Sequence, residues 1–143
     1  MLTQAEADAL IQMPKRFISN VSVKLPPGAD HSYELVGIDP SEKFLLDVRR
    51  GRIRLTKLRY QTRARIVIVL VRLCLNGPPH PNPDGERVGG THLHIYREGY
   101  ADKWAYEIDP AQFSNPSDIW QTLIDFCGYC QISPLPAIEP ELT

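Results

Sequence analysis

Long apolar runs are missing from this sequence. The longest, Ile66–Val71, has six residues, against the roughly 20 that a membrane-spanning helix needs. No secretory leader is expected either, because Glu6 and Asp8 stand where a cationic segment belongs. There are no internal repeats. A soluble, cytoplasmic protein with no membrane partner is the resulting expectation. Cysteine is scarce: Cys74, Cys127 and Cys130 are the only three in 143 residues. A chain of this length buries about two-thirds of its extended surface, so stability requires neither disulfide nor metal. Cys127-Gly-Tyr-Cys130 has C-x-x-C spacing, but no second pair completes a zinc set. It also falls near the C-terminal end of a predicted helix, whereas a redox pair uses the N-terminal end. Both cysteines are therefore read as packing, and Cys74 as a small buried hydrophobe closing the most apolar strand.

One further absence points to function. Acids are missing from Arg49 to Arg72, a span holding Arg49, Arg50, Arg52, Arg54, Lys57, Arg59, Arg63, Arg65 and Arg72. From residue 73 onward the balance inverts, with ten Asp and Glu against Arg87, Arg97 and Lys103. The net charge of −1 conceals this asymmetry. Segregated charge points to a surface facing a polyanion. The bland alternative is a solvated basic hairpin.

The chain that remains is ordinary in composition, 43% hydrophobic and 23% charged, as globular domains are. Thr3 and Glu6 form a capping box for a helix over 3–13, ended by Pro14. Phe17 to Leu25 reads as a strand or extended arm, Tyr33 to Ile38 and Lys43 to Arg49 as strands. Arg50-Gly51 predicts a tight hairpin into Arg52–Leu58, with Ile53 and Leu55 facing in. Residues 59–64 read as irregular. Arg65–Leu75, apolar on both faces, reads as the central strand. The proline-rich stretch 76–90 reads as a long loop without regular structure. Asn115-Pro116 predicts a helix start, with the helix over 116–129. The pattern is a single α+β domain over 1–132: an antiparallel sheet of five or six strands with an N-terminal and a C-terminal helix. Residues 133–143 form a Pro-rich tail, extended or disordered. Trp104 and Trp120 are expected as core anchors, and Arg97 as an ion-pair partner of Glu107 or Asp47.

Residues 91–108, THLHIYREGYADKWAYEI, carry the densest chemistry. Alternation along a strand places His92, His94, Tyr96 and Glu98 on one face, ahead of a turn at 99–103 and a returning strand.

Four segments together resemble a family: FLLDVRRGRI, YQTRARIVIVLVRLCLNGPPHPNPDG, THLHIYREGYADKWAY and DIWQTLIDFCGYC. The family is one of small bacterial proteins of unknown function from mobile and phage-associated genomes. The similarity spans most of residues 1–132 and is most specific in LNGPPHPNPDG and HLHIYREGYADKWAY. It implies no activity and transfers no catalytic residue. The genomic setting implies a toxin, an antitoxin partner or an anti-defence protein.

From the residues, three chemistries compete. In the first, the protein acts on RNA in preference to DNA as a metal-independent, toxin-type endoribonuclease. His92 and His94 are then acid and base, Glu98 orients one of them, Tyr96 shares their face, and Arg59, Arg63 or Arg65 binds phosphate. In the second, the basic stretch Arg49, Arg50, Arg52, Arg54, Lys57, Arg59, Arg63 and Arg65 binds without chemistry. Its partner is a nucleic acid, with Tyr60, Tyr96 or Tyr100 stacking on bases, or an acidic protein. In the third, His92-x-His94-x-x-x-Glu98 holds a metal with His80 as fourth ligand, resembling the first half of the cupin motif. The flanking glycines are misplaced and no later histidine completes that set, so no metal and no cofactor is expected. The oligomeric state is left open.

Overall fold

The computed structural model describes residues 1–139. Its elements, in chain order, are α1 (Gln4–Gln12), β1 (Lys15–Phe17), β2 (Ser22–Lys24), β3 (Asp30–Gly37), β4 (Lys43–Arg50), β5 (Leu58–Ala64), β6 (Ile68–Leu75), β7 (His80–Pro81), β8 (Arg87–Val88), β9 (His92–Ile95), β10 (Ala105–Glu107), α2 (Ile119–Tyr129) and β11 (Ala137–Glu139). Seven strands form one antiparallel sheet in the order β1-β3-β4-β5-β6-β9-β10. The fold is α+β with one helix from each end of the sequence. Among the described residues no helix is long and apolar enough to cross a membrane.

Local chemistry explains most element boundaries. The Thr3 side chain accepts from the Glu6 amide and the Glu6 carboxylate accepts from the Thr3 amide, which completes the capping box of α1. For α2 the cap is Asp118 and not Asn115. Its carboxylate accepts from the Trp120 and Gln121 amides, while Asn115–Asp118 forms a preceding turn. Both helices lie on one face of the sheet. Leu10, Ile11, Leu123 and Phe126 join Leu46, Tyr60, Leu73, Leu75 and Leu93 in one continuous core. Tyr60 is fully buried against Phe126 and donates to the Ile119 carbonyl. The helix C-termini share one unusual partner: the buried Lys15 ammonium donates to the carbonyls of Ile11, Met13 and Cys130.

Several expectations need correction. Residues 51–57 are a connection and not a strand, so Ile53 is 92% exposed. Gly51 makes the fold-back possible, because a Cβ there would overlap the Arg54 carbonyl. The stretch read as irregular is β5, paired along its length with β4 and β6. Phe17–Leu25 divides into β1 and β2, which lie in different sheets. Stretch 76–90 contains a small β7–β8 ladder. The tail is extended as far as it is described, and β11 pairs parallel with β2; residues 140–143 lie outside the described residues. Cys127 and Cys130 are buried, and desolvation pushes both thiols up to about 12. Arg97 forms no ion pair among the described residues; its guanidinium lies 4.3 Å from the Trp104 ring centroid, and Asp47 is held by Arg63.

Candidate functional site

Strand register builds the site. Pairing of β6 with β9 sets Cys74 opposite His92 and Arg72 opposite His94. On the other side of β6, Arg59 stands opposite Cys74, and Arg49 stands opposite Arg59 one strand further on. Directly opposed residues share a face of a sheet. Because Leu58, Tyr60, Leu73, Leu75 and Leu93 take the helix-covered face, the row Arg49, Arg59, Cys74, His92 is left on the other. Arg72 and His94 lie beside it.

A third imidazole arrives from outside the sheet. The β7–β8 ladder is fastened to the sheet edge by Asn82, whose side-chain amide donates to the Ala105 carbonyl at 2.9 Å and accepts from the Ala105 amide at 2.8 Å. At the base of this loop the Gly77 amide donates to the Gly90 carbonyl. A Cβ on Gly90 would overlap the Gly77 carbonyl, so the two chains approach this closely only because Gly90 has none. The result places the His80 ring 4.6 Å from His94 and 5.6 Å from His92, with His92 and His94 4.8 Å apart, centroid to centroid.

Each ring is oriented by a backbone carbonyl. His92 Nδ1 donates to Gly89 at 2.6 Å, His94 Nδ1 to Asp102 at 2.7 Å and His80 Nε2 to Lys103 at 2.7 Å. A carbonyl only accepts, so these nitrogens carry the protons. In the neutral rings Nε2 of His92 and His94 then holds a lone pair. Desolvation, with the nearby Arg72 and Arg59 charges, holds His92 below its ordinary value, which favours the neutral ring. Burial pushes the Cys74 thiol up, but the neighbouring His94 ring and the Arg72 and Arg59 charges outweigh it and leave the thiol below its usual range. Arg72 is itself held by Asp102 at 2.6 Å. The donor atoms of Cys74, His92 and His94 all lie within 4.8 Å of one another, close enough for this trio to hold a metal ion.

The cluster forms the wall of a hollow of about 440 Å³. Arg49, Arg50, Lys57, Arg59 and Arg72 line it with Cys74, His80, His92 and His94, and no carboxylate lines it. Among the described residues Lys57 and Arg59 have no side-chain hydrogen bond or ion pair.

The structure thus brings together His80, His92, His94, Arg49, Arg50, Lys57 and Arg59 of the residues singled out from the sequence. It separates the others. Strand β9 ends at Ile95 and the chain turns through an Arg97–Ala101 bridge, so face alternation stops before Tyr96. The Tyr96 hydroxyl accepts from the Leu2 amide and donates to its carbonyl, and the Glu98 carboxylate accepts from the Gln4 amide. Both residues clamp the start of α1 and lie outside the histidine cluster. Tyr60 is buried on the opposite face. Arg63 is committed to Asp47 and Arg65 to Glu42. Arg52 and Arg54 lie on the 51–57 connection outside the lining. Sequence reading missed Cys74, Arg72 and Asn82. The signal for the first two was present: an arginine at 72 in an otherwise apolar strand marks a polar face, and Cys74 shares its parity.

These features define a class: a helix-backed antiparallel sheet whose uncovered face carries imidazoles and a thiol inside a cationic hollow. The chain belongs to the family of unknown function DUF6978, whose family model matches residues 2–132. No curated protein and no solved structure matches it.

Proposed function

We propose that the hollow binds the phosphodiester backbone of nucleic acid, single-stranded RNA first. One observation carries this reading: five cationic side chains line a concavity that no carboxylate lines. Phosphate contacts supply affinity without sequence information. Exposed Arg59 and Lys57 have their charge available, and the proton-active rings stand at the wall where a phosphate rests. Labelled single-stranded RNA, titrated with protein at several salt concentrations, tests the reading by fluorescence anisotropy. About three phosphate contacts give a log–log salt slope near −2 for a single strand. Arg59→Glu lowers affinity at least tenfold and flattens the slope. Absence of binding at low salt, or indifference to Arg59→Glu, removes the reading. Salt-insensitive, stoichiometric capture of one acidic protein would replace it with a docking module.

The adjacent His92 and His94 rings favour a second reading, RNA cleavage with neutral His92 as base and His94, protonated on Nε2, as acid. Glu98 has no part in it, since backbone carbonyls orient the rings. It requires both imidazoles unoccupied. RNA cleavage that survives EDTA and disappears in His94→Ala supports it.

A further inference from the structure

Sites that bind transition ions share a construction: each imidazole ligand donates its second N–H to a carbonyl or carboxylate, which fixes the tautomer and aims the lone pair. His92 and His94 are built this way, and Cys74 adds a sulfur within the same 4.8 Å cluster. We propose that Cys74, His92 and His94 hold one zinc ion, with the fourth coordination position open to the cationic hollow. The inference does not depend on nucleic-acid binding.

The donor set fits this metal class. Thiolate with imidazole selects zinc over magnesium or calcium, which take oxygen. Three protein ligands with one open position characterise zinc sites that do chemistry, whereas structural sites close all four. Zinc at about 2.0–2.3 Å from each donor requires the trio to contract slightly from its present spacing. The partly buried Cys74 and the ungripped Nε2 of His92 leave room for that: among the described residues His92 Nε2 has no hydrogen-bond partner. Arg72 does not compete for His94. Its Nη2 lies 3.4 Å from both ring nitrogens, and a donor aimed along either lone pair would be much closer to one than to the other. Asp102 offsets the Arg72 charge. With a thiolate on Cys74, the ion would meet one negative ligand and two neutral ones, and its fourth position would be left to water or to an oxygen of an anion drawn into the hollow.

The test uses the full chain, freed of metal by chelator and titrated with cobalt(II) alone. Expected are one equivalent bound, the visible bands of tetrahedral cobalt and a near-ultraviolet thiolate-to-cobalt charge-transfer band, all displaced by zinc. Cys74→Ser removes the charge-transfer band and weakens binding at least tenfold, whereas Cys127→Ser/Cys130→Ser leaves both unchanged. Zinc also protects Cys74 from alkylation by iodoacetamide. Circular dichroism of metal-free Cys74→Ser shows that the fold survives. No stoichiometric binding, or a charge-transfer band unchanged in Cys74→Ser, overturns the proposal. RNA anisotropy run in EDTA separates its failure from failure of the phosphate reading. Cleavage that depends on His94 and is unaffected by a stoichiometric equivalent of zinc also overturns it, since the ring cannot be ligand and proton carrier at once.

Discussion

Lys15 shows how much one residue can tie together. Its ammonium satisfies three carbonyls at the ends of both helices and lies 4.7 Å from the Phe44 ring centroid. Helix C-termini leave orphan carbonyls, and a buried one without a partner is costly. Burial draws the Lys15 pKa down to about 8 from 10.5. Between these values the unfolded chain holds a proton that the folded chain has released, so this group makes stability rise with pH across that window. Urea unfolding of the wild type and Lys15→Met, compared from pH 7 to 10, checks it. The difference in stability, wild type minus variant, grows in favour of the wild type above pH 8. Nothing in the sequence singled out Lys15, because its role depends on two helix ends that meet only in the folded chain. Cys74 was misread for a related reason. A thiol in an apolar strand looks like core until the neighbouring strands show that its side of the sheet is polar.

Among elements, the β7–β8 ladder is where sequence reading fell furthest short. Its prolines and glycines predicted a loop, and its strands span only two residues each. Its position comes from Asn82, which completes backbone hydrogen bonds on edge strand β10. Removing one partner of a buried or half-buried hydrogen bond costs about 1–3 kcal/mol. Asn82→Ala is expected to lower stability by that order, with faster amide hydrogen exchange at Ala105 and unchanged exchange in α2. Unchanged protection at Ala105 would show that the ladder is held by something else. The late hairpin was more legible. Its strands, its turn and its parity at His92 and His94 followed from alternation. Tyr96 and Glu98 did not, because the strand ended sooner than the polar pattern and the two side chains were recruited to α1.

At the scale of the molecule, the sheet separates two tasks. One face is sealed by helices and carries the core; the other carries charge and imidazoles. The Asp47 cluster lies on that second face. Desolvation raises the Asp47 carboxyl, but hydrogen bonds from Arg63, Ser32 and Gln61 outweigh it and hold the group below its usual value. Its contribution to stability is therefore present above the unfolded value near 3.8 and is lost as pH falls through the lower folded value. Asp47→Asn is expected to flatten that part of the acid unfolding curve. The β2–β11 ladder is a sheet of its own, and just beyond β2 the Leu25 carbonyl accepts from the Arg50 guanidinium of the hollow. A chain ending at Ser133 is expected to lose a few degrees in Tm, of order 1 kcal/mol, because the parallel pairing of β11 with β2 is lost. Its cobalt spectrum stays unchanged, because Cys74, His92 and His94 stand on β6 and β9; loss of that spectrum would tie the tail to the cluster.

Sequence alone determined what neighbouring residues decide between themselves: the α1 capping box, the alternation of β4 and β9, and the acid-free run of cations. Such features depend on contacts a few residues apart, and they survive whatever the rest of the chain does. Only tertiary structure decided which cations matter. Arg49, Arg59, Cys74 and His92 come from four strands and meet because consecutive strand registers align them; of the two arginines Arg49 is paired with Asp30 and Arg59, among the described residues, is not, while Arg63 and Arg65, equally basic, are neutralised by Asp47 and Glu42. Charge can be counted along a chain, but a side chain's availability depends on which residue the fold sets opposite it.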